Sequence, residues 1–409
     1  MKTNPKLILF TVMLVGMLGT IGIALPYPVL APYFIDYPAN ELTHFMGIHP
    51  KILLGLCLAI YPLGLLFGSI YIGALSDGFG RKKVLLLTLM GSVMGYALTA
   101  WAVYQESFVF FVVARFLTGV CEGNISIARA IAAELHPHIN RTKALSLVYA
   151  ATYTGWLLGP VLGGFLMVVG VAEVFLVAGL GMLLSTLLVW ALIKKDRSED
   201  LNDTPFWVAI RSNNSLTLLK NPEIKPIFWF YFIYSLGLNA FYDFYPVWWV
   251  DYFAADGPII AWATVSLTAV MILVSSTLVA RVQSYYGEIK AILVGGLVLG
   301  LLLLIQPFTG FVSAFVIFAF IGGAIALTNG MIPSYLSHCF GHLGQGKVMG
   351  LQTSTFCITN VIMASLGGPV SIIDSRWILL LGALLVLIAV WWMWHHRHSQ
   401  YRLLAEQAT

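Results

Sequence analysis

Long apolar runs separated by short polar breaks set the rhythm of this chain. The first extends from Leu7 to about Tyr33, and others occupy about 52–75, 84–104, 108–132, 144–168 and 173–193. After a polar stretch the runs resume at about 226–250, 260–280, 291–308, 312–335, 348–371 and 376–394. A helix needs about 20 apolar residues to cross a bilayer, so the pattern predicts an all-α membrane protein of twelve transmembrane helices. The one long break, Lys194 to Lys225, is dense in charge and is expected to link two six-helix bundles, 1–193 and 226–396, with 397–409 as a cytoplasmic tail. The first run contains Pro26, Pro28 and Pro32 and is too long for the apolar core of a signal peptide, so it is read as a retained span.

Composition agrees with this reading. Of 409 residues, 59% are hydrophobic and 10% charged, whereas soluble domains carry roughly a quarter charged residues. A water-soluble enzyme is excluded. Lysine and arginine collect on the cytoplasmic side of membrane proteins. With the N-terminus inside, Lys2, Lys6, Arg81, Lys82, Lys83, Arg141, Lys143 and the linker and tail cations all face the cytoplasm, while Lys51 and Arg376 fall outside. Both termini are therefore expected to be cytoplasmic, in a cell inner membrane. Cys57, Cys121, Cys339 and Cys357 show no metal-binding or paired spacing and read as reduced thiols.

A weak internal repeat supports the division into halves. YPVLAPYF from Tyr27 echoes YPVWWVDYF from Tyr245, and LGPVLGG ending at Gly164 echoes SLGGPV from Ser365. Parallel repeats of this kind place a substrate site between two halves near the bilayer midplane.

Three motifs then carry a resemblance. GALSDGFGRKK, Gly73 to Lys83, resembles the signature loop of the major facilitator superfamily, with Gly73, Asp77, Gly80, Arg81 and Lys82 in matching places. RFLTGVCEG from Arg115 resembles the family's fourth-span motif. GWLLGPVLGG, with Gly155, Gly159, Pro160, Gly163 and Gly164, resembles the fifth-span motif of antiporters. The resemblance implies alternating access between two bundles and leans toward the twelve-helix drug:proton antiporter branch. It also implies a cytoplasmic gate network in which Glu134 and Arg141 partner Asp77 and Arg81. The glycines at i, i+4 and i+8 present a smooth face to a neighbouring helix, and Pro160 adds a kink.

Charges inside a bilayer are costly and mark function. Arg115, Glu122 and Arg129 are spaced by sevens, which places them on one helical stripe within roughly 20° per step. A midplane carboxylate can carry a proton, and Glu122 is either such a carrier or one half of a static ion pair with Arg115 or Arg129. Ser235, Asn239 and Asp243 share a face of the seventh span, and Arg115 and Asp243, at similar depth, are expected to approach each other across the cavity. Asp251 reads as a solvated end charge. The first span lacks the embedded acid of some multidrug members, since Leu25 stands at the repeat position of Asp243, so Glu122 and Asp243, with Arg115, are the candidates for proton coupling.

Candidates for lining a substrate cavity are Tyr27, Tyr149, Tyr153, Trp156, Asn239, Phe241, Tyr242, Tyr245, Asn329, Gln352, Thr355 and Thr359. Aromatic walls with few polar groups suit a small-molecule site and can stack on a cationic lipophile. Most aromatics of such a chain, the Trp391–Trp392–Trp394 group included, face lipid or form interfacial belts. His395, His396 and His398 have no carboxylate nearby in sequence and suggest no metal. No phosphate-binding loop, nucleophile elbow or catalytic carboxylate pair occurs, so no enzyme, cofactor or nucleic-acid partner is expected. The expected function is proton-coupled export of drug-like or amphipathic molecules by a monomer. The alternatives are a transporter of a specific metabolite or siderophore, with Arg115 binding an anionic substrate, and a membrane enzyme or receptor-like protein.

Overall fold

The computed structural model describes residues 4–135, 138–139, 141–193, 215–343 and 345–408. Residues 194–214 of the expected linker therefore lie outside the described residues, and no strand occurs among those described. The first compact unit comprises Met1–Ser212 and Ala255–Ala261. It contains α1 (Pro5–Ala24), α2 (Tyr27–Ile35), α3 (Pro50–Phe79), α4 (Arg81–Tyr104), α5 (Phe108–Cys121), α6 (Ile125–Ala133), α7 (Arg141–Leu166) and α8 (Val171–Leu192). The second unit, Asn213–Ala254 with Trp262–Thr409, is built on α9 (Lys225–Phe253), α10 (Gly257–Thr277, its first residues counted with the first unit), α11 (Val279–Ile305), α12 (Phe311–Phe340), α13 (Gln345–Ile373), α14 (Ser375–His395) and α15 (Arg397–Ala408).

Twelve spans follow from these helices, because two spans are broken. The first divides into α1 and α2 where Pro26 and Pro28 withhold the N–H groups that would bond Gly22 and Ala24. The fourth divides into α5 and α6 around a 3₁₀ turn at Glu122–Asn124. Ten of the twelve are long and apolar enough by composition to cross a membrane. The other two are α7 and α9, of 26 and 29 residues. The first is rich in Gly, Thr and Tyr. The second carries Trp, Tyr, Asn239 and Asp243, whose polar atoms lower its hydropathy while its rings remain good bilayer and core material.

Within the first unit α1 packs on α7 and α8, α4 on α8 and α5, and α3 on α5. Small residues make the approaches close: a Cβ on Gly64 would strike the Phe116 carbonyl, and one on Gly119 the Tyr61 carbonyl. With lipid tails as apolar as leucine, such contact area is what favours association of the helices. In the second unit α9 packs on α14 and α13, and α11 on α12 and α14. Its core is aromatic: the Trp249 ring meets Phe311, Phe315 and Phe318 at centroid distances of 5.6, 5.0 and 5.7 Å. The outward faces carry exposed Leu87, Met94, Trp101, Leu180 and Leu187, a surface suited to hydrocarbon rather than water.

Candidate functional site

Two buried polar clusters stand out, one in each unit. In the first, α3, α4, α5 and α8 converge on Arg115 and Glu122, 4% and 3% exposed. The Tyr61 hydroxyl of α3 donates to Glu122 Oε2, and the Arg115 guanidinium lies over the same Tyr61 ring at 4.4 Å and near the Phe175 ring at 5.7 Å. Tyr96 of α4 faces the Glu122 carboxyl. Gly22 of α1 leaves room for the Tyr96 hydroxyl, which a Cβ there would meet at 2.7 Å. Removing charges from water is costly unless other groups compensate. Here the compensation comes from opposite charge, a phenol and two ring faces.

The stripe of three charges is not carried by one continuous helix: a 3₁₀ turn at Glu122–Asn124 separates α5 from α6. Beyond it the Arg129 guanidinium lies 4.5 Å from the Tyr149 ring of α7. Neither arginine makes a direct ion pair with Glu122 among the described residues.

In the second unit the cluster joins α9 to α13. Asn360 Nδ2 donates to both Asp243 oxygens at 3.2 Å and reaches Asn239 Oδ1 at 3.3 Å. Asn239 Nδ2 in turn donates to Thr359 Oγ1 at 3.0 Å and to the Phe356 carbonyl at 3.3 Å. Asp243, Asn239, Asn360, Thr359 and Ser235 are all buried. Ser235, Asn239 and Asp243 do share one face, because α9 runs unbroken through them. Arg115 and Asp243 belong to different units, and each has the partners just given within its own.

The other candidates are distributed unevenly. Tyr27 and Trp156 sit ring to ring at 6.0 Å, and Tyr242 lies 5.8 Å from Phe241. Asn329 Oδ1 accepts from Tyr234 at 3.0 Å, and Tyr245 bonds Thr264 at 2.6 Å. Thr355 is buried and donates to Leu351 one turn back, so its hydroxyl is satisfied within α13. Gln352 is half-buried, and Tyr153 is 48% exposed. Gly155, Gly159 and Gly163 all face α1: a Cβ on each would meet Met17 O at 2.6 Å, Ala24 Cβ at 2.6 Å and the Leu25 carbonyl respectively. Gly164 faces Gly257 and Ala261 instead, and Pro160 lies inside α7.

The signature segment is mostly helix rather than loop. Gly73 and Asp77 fall within α3, and Gly80 alone, at φ +93°, turns the chain into α4; that left-handed backbone suits glycine. Arg81 Nε pairs with Glu134 Oε1 at 2.5 Å. Lys82 Nζ donates to the Trp190 and Ile193 carbonyls at the end of α8, where a cation is favoured by the helix dipole. The side chains of Asp77 and Arg141 lie outside the described residues.

Sequence reasoning passed over Tyr61, Tyr96 and Asn360. Asn360 had a signal, being an amide inside an apolar span beside Thr359. The two tyrosines had none, because phenols abound in this chain. The four cysteines are free thiols.

Comparison with known proteins places the chain. It is 25% identical over 403 residues to the class B tetracycline resistance protein of Escherichia coli, covering 93% of each chain. It is 25% identical over 375 residues to multidrug resistance protein 2 of Bacillus subtilis (strain 168), covering 89% of each. Its fold matches the human organic anion transporter MFSD10 (TETRAN) with a TM-score of 0.69 at 19% identity, over 96% of this chain and all of that one. It matches a D-xylose-proton symporter with a TM-score of 0.77 at 18% identity, over 95% and 97%. The family model described as Major Facilitator Superfamily matches residues 7–358. With twelve spans among the described residues, two compact units and that match, this chain belongs to the Major Facilitator Superfamily, whose members are transporters and not enzymes.

Proposed function

We propose that the protein is a proton-coupled exporter of drug-like or amphipathic small molecules, working by alternating access. On this reading it is a monomer in a cell inner membrane with both termini in the cytoplasm, and its partners are a small-molecule substrate, protons and lipid. The observation that carries proton coupling is the buried Asp243 carboxyl, whose side-chain partner in its own unit is the Asn360 amide rather than a cation. A carboxylate placed so far from water with a neutral amide as its partner is held at high cost, and binding a proton relieves that cost. Glu122 is the other candidate, buried with Tyr61 and Arg115 in the first cluster. The export direction and substrate class draw on the tetracycline and multidrug resistance relatives, which align over nearly the whole chain. Tyr27, Trp156, Tyr149, Tyr153 and Tyr242 supply aromatic surface for amphipathic cargo, while Asn239, Asn329, Gln352 and Thr355 supply polar groups. The Arg81–Glu134 pair belongs to the cytoplasmic gate on this reading.

Inverted membrane vesicles offered a cationic lipophilic dye in the outside medium test this reading. Dye accumulation should collapse when the proton gradient is dissipated and should be lost in Asp243→Asn. Accumulation that ignores both the gradient and the substitution would refute it.

A second reading rests on a separate observation: Nε and one terminal nitrogen of buried Arg115 have no hydrogen-bond partner. Two unfilled donors on a planar cation fit a carboxylate-bearing metabolite or siderophore. Uptake of one such compound, abolished by Arg115→Ala and indifferent to dyes, would establish that reading over export of drug-like molecules.

A further inference from the structure

The cluster around Asp243 is short of donors. Its acceptors are Asp243 Oδ1 and Oδ2, Asn239 Oδ1 and Asn360 Oδ1, all on buried residues. Against them Asn360 Nδ2 spreads two N–H groups over three oxygens. The amide of Asn239 is committed to Thr359 and Phe356, and the Thr359 hydroxyl to carbonyls of its own helix. Asn360 Oδ1 is left without a partner. Buried polar groups are normally satisfied, so a cluster with surplus acceptors suits one added donor. A proton on Asp243 is such a donor.

Among the described residues of the second unit, no ion pair to Asp243 occurs. The titratable neighbours of Asp243 on α9 are Tyr242 and Tyr245, the latter bonded to Thr264 of α10. On α13 the nearest in sequence to Asn360 is the buried thiol Cys357. Between Arg376 and His395 α14 carries no titratable side chain, and on α12 Tyr335, His338 and Cys339 lie in the last turns, while α10 carries none.

We propose that Asn360 is a positioning residue for the coupling proton: its amide ties α13 to the ionised Asp243 of α9, and protonation of Asp243 loosens that tie. Hydrogen bonds to an ionised acceptor are roughly twice as strong as those between neutral groups. When one carboxylate oxygen gains an O–H bond from water, the charge that held the amide is gone. No electrons move, and the proton returns to water on release. The helix contact that responds is α9 on α13, so proton binding acts directly on packing inside the second bundle. This inference rests on the proton-coupled reading of Asp243 above.

The test is an infrared pH titration of the purified full-length protein, with protons as the only ligand. A protonated-carboxyl band that titrates in the wild type should be missing in Asp243→Asn. In Asn360→Leu, which removes the donor to the ionised form, the midpoint of that band should move to higher pH by about one unit. Asn360→Ser keeps a hydroxyl and should shift it less in the same direction. A merely structural role for Asn360 would lower thermal stability and leave the midpoint in place. If Asn360→Leu does not fold, Asn360→Ser carries the measurement alone. A wild-type band that survives in Asp243→Asn, or a midpoint unmoved or lowered in the Asn360 variants, overturns the proposal. Because the titration needs no substrate, failed dye export with the predicted midpoints would sink the export reading and leave this one standing.

Discussion

The phenol of Tyr61 serves two charges at once: its hydroxyl donates to Glu122 while its ring lies 4.4 Å beneath the Arg115 guanidinium. Neither charge could be buried to this depth alone, and one tyrosine from another helix makes the arrangement tolerable.

Tyr61→Phe keeps the ring under Arg115 and deletes the donor to Glu122. The loss of a hydrogen bond to a buried carboxyl should lower stability by about 1–3 kcal/mol. Thermal unfolding of the purified protein in detergent measures it, and an unchanged midpoint would show that the hydroxyl is dispensable.

Arg115→Met should also destabilise, by about 0.5–3 kcal/mol, because it removes the buried cation over the Tyr61 ring in the cluster of Glu122. Adding Glu122→Gln to that variant should restore much of the loss. A double-mutant cycle on unfolding free energies reads the coupling, expected at roughly 1–3 kcal/mol; simple additivity of the two substitutions would dissolve the pairing.

Gly159→Leu drives a side chain into Ala24 and Ile21 of α1. Overpacking of this kind costs roughly 1–3 kcal/mol or more, so expression and thermal stability should both fall. Leu162, exposed on the same helix, is the control: Leu162→Ala should change little. Equal effects at the two positions would mean that α7 does not depend on its close contact with α1.

The Arg81–Glu134 pair is partly exposed, at 25% and 56% of the side chains. Exposed pairs contribute at most about 1 kcal/mol, so Arg81→Glu or Glu134→Arg should barely change the unfolding temperature. If the pair closes a gate, each single reversal should nevertheless slow substrate flux several-fold, and the double exchange should recover it. Full flux in the single variants would assign the pair no role in gating.

Much of the architecture was legible because the bilayer imposes one period on every element. The runs of apolar residues anticipated the helices closely, and the i, i+4, i+8 spacing of Ser235, Asn239 and Asp243 put them on one face of a helix that proved continuous. Gly155, Gly159 and Gly163 likewise announced a face for close contact, and that face meets α1. The sevenfold spacing from Arg115 to Arg129 assumed an unbroken α-helix, whereas a 3₁₀ turn at Glu122–Asn124 interrupts the span, and Arg129 meets Tyr149 of α7. The signature segment also runs as helix up to Phe79, with its reversal confined to Gly80.

Helical periodicity and charge placement, which are local properties, thus determined from the sequence that this chain is a twelve-span membrane protein and which few charges lie inside it. Which groups meet those charges was decided by tertiary structure alone. Tyr61 stands 61 residues from Glu122 and Asn360 117 residues from Asp243, separations that no helical repeat spans. In an interior with little water, a buried charge is stabilised by whatever side chain the packing of the helices brings within hydrogen-bond reach. That choice is made in three dimensions, helix against helix.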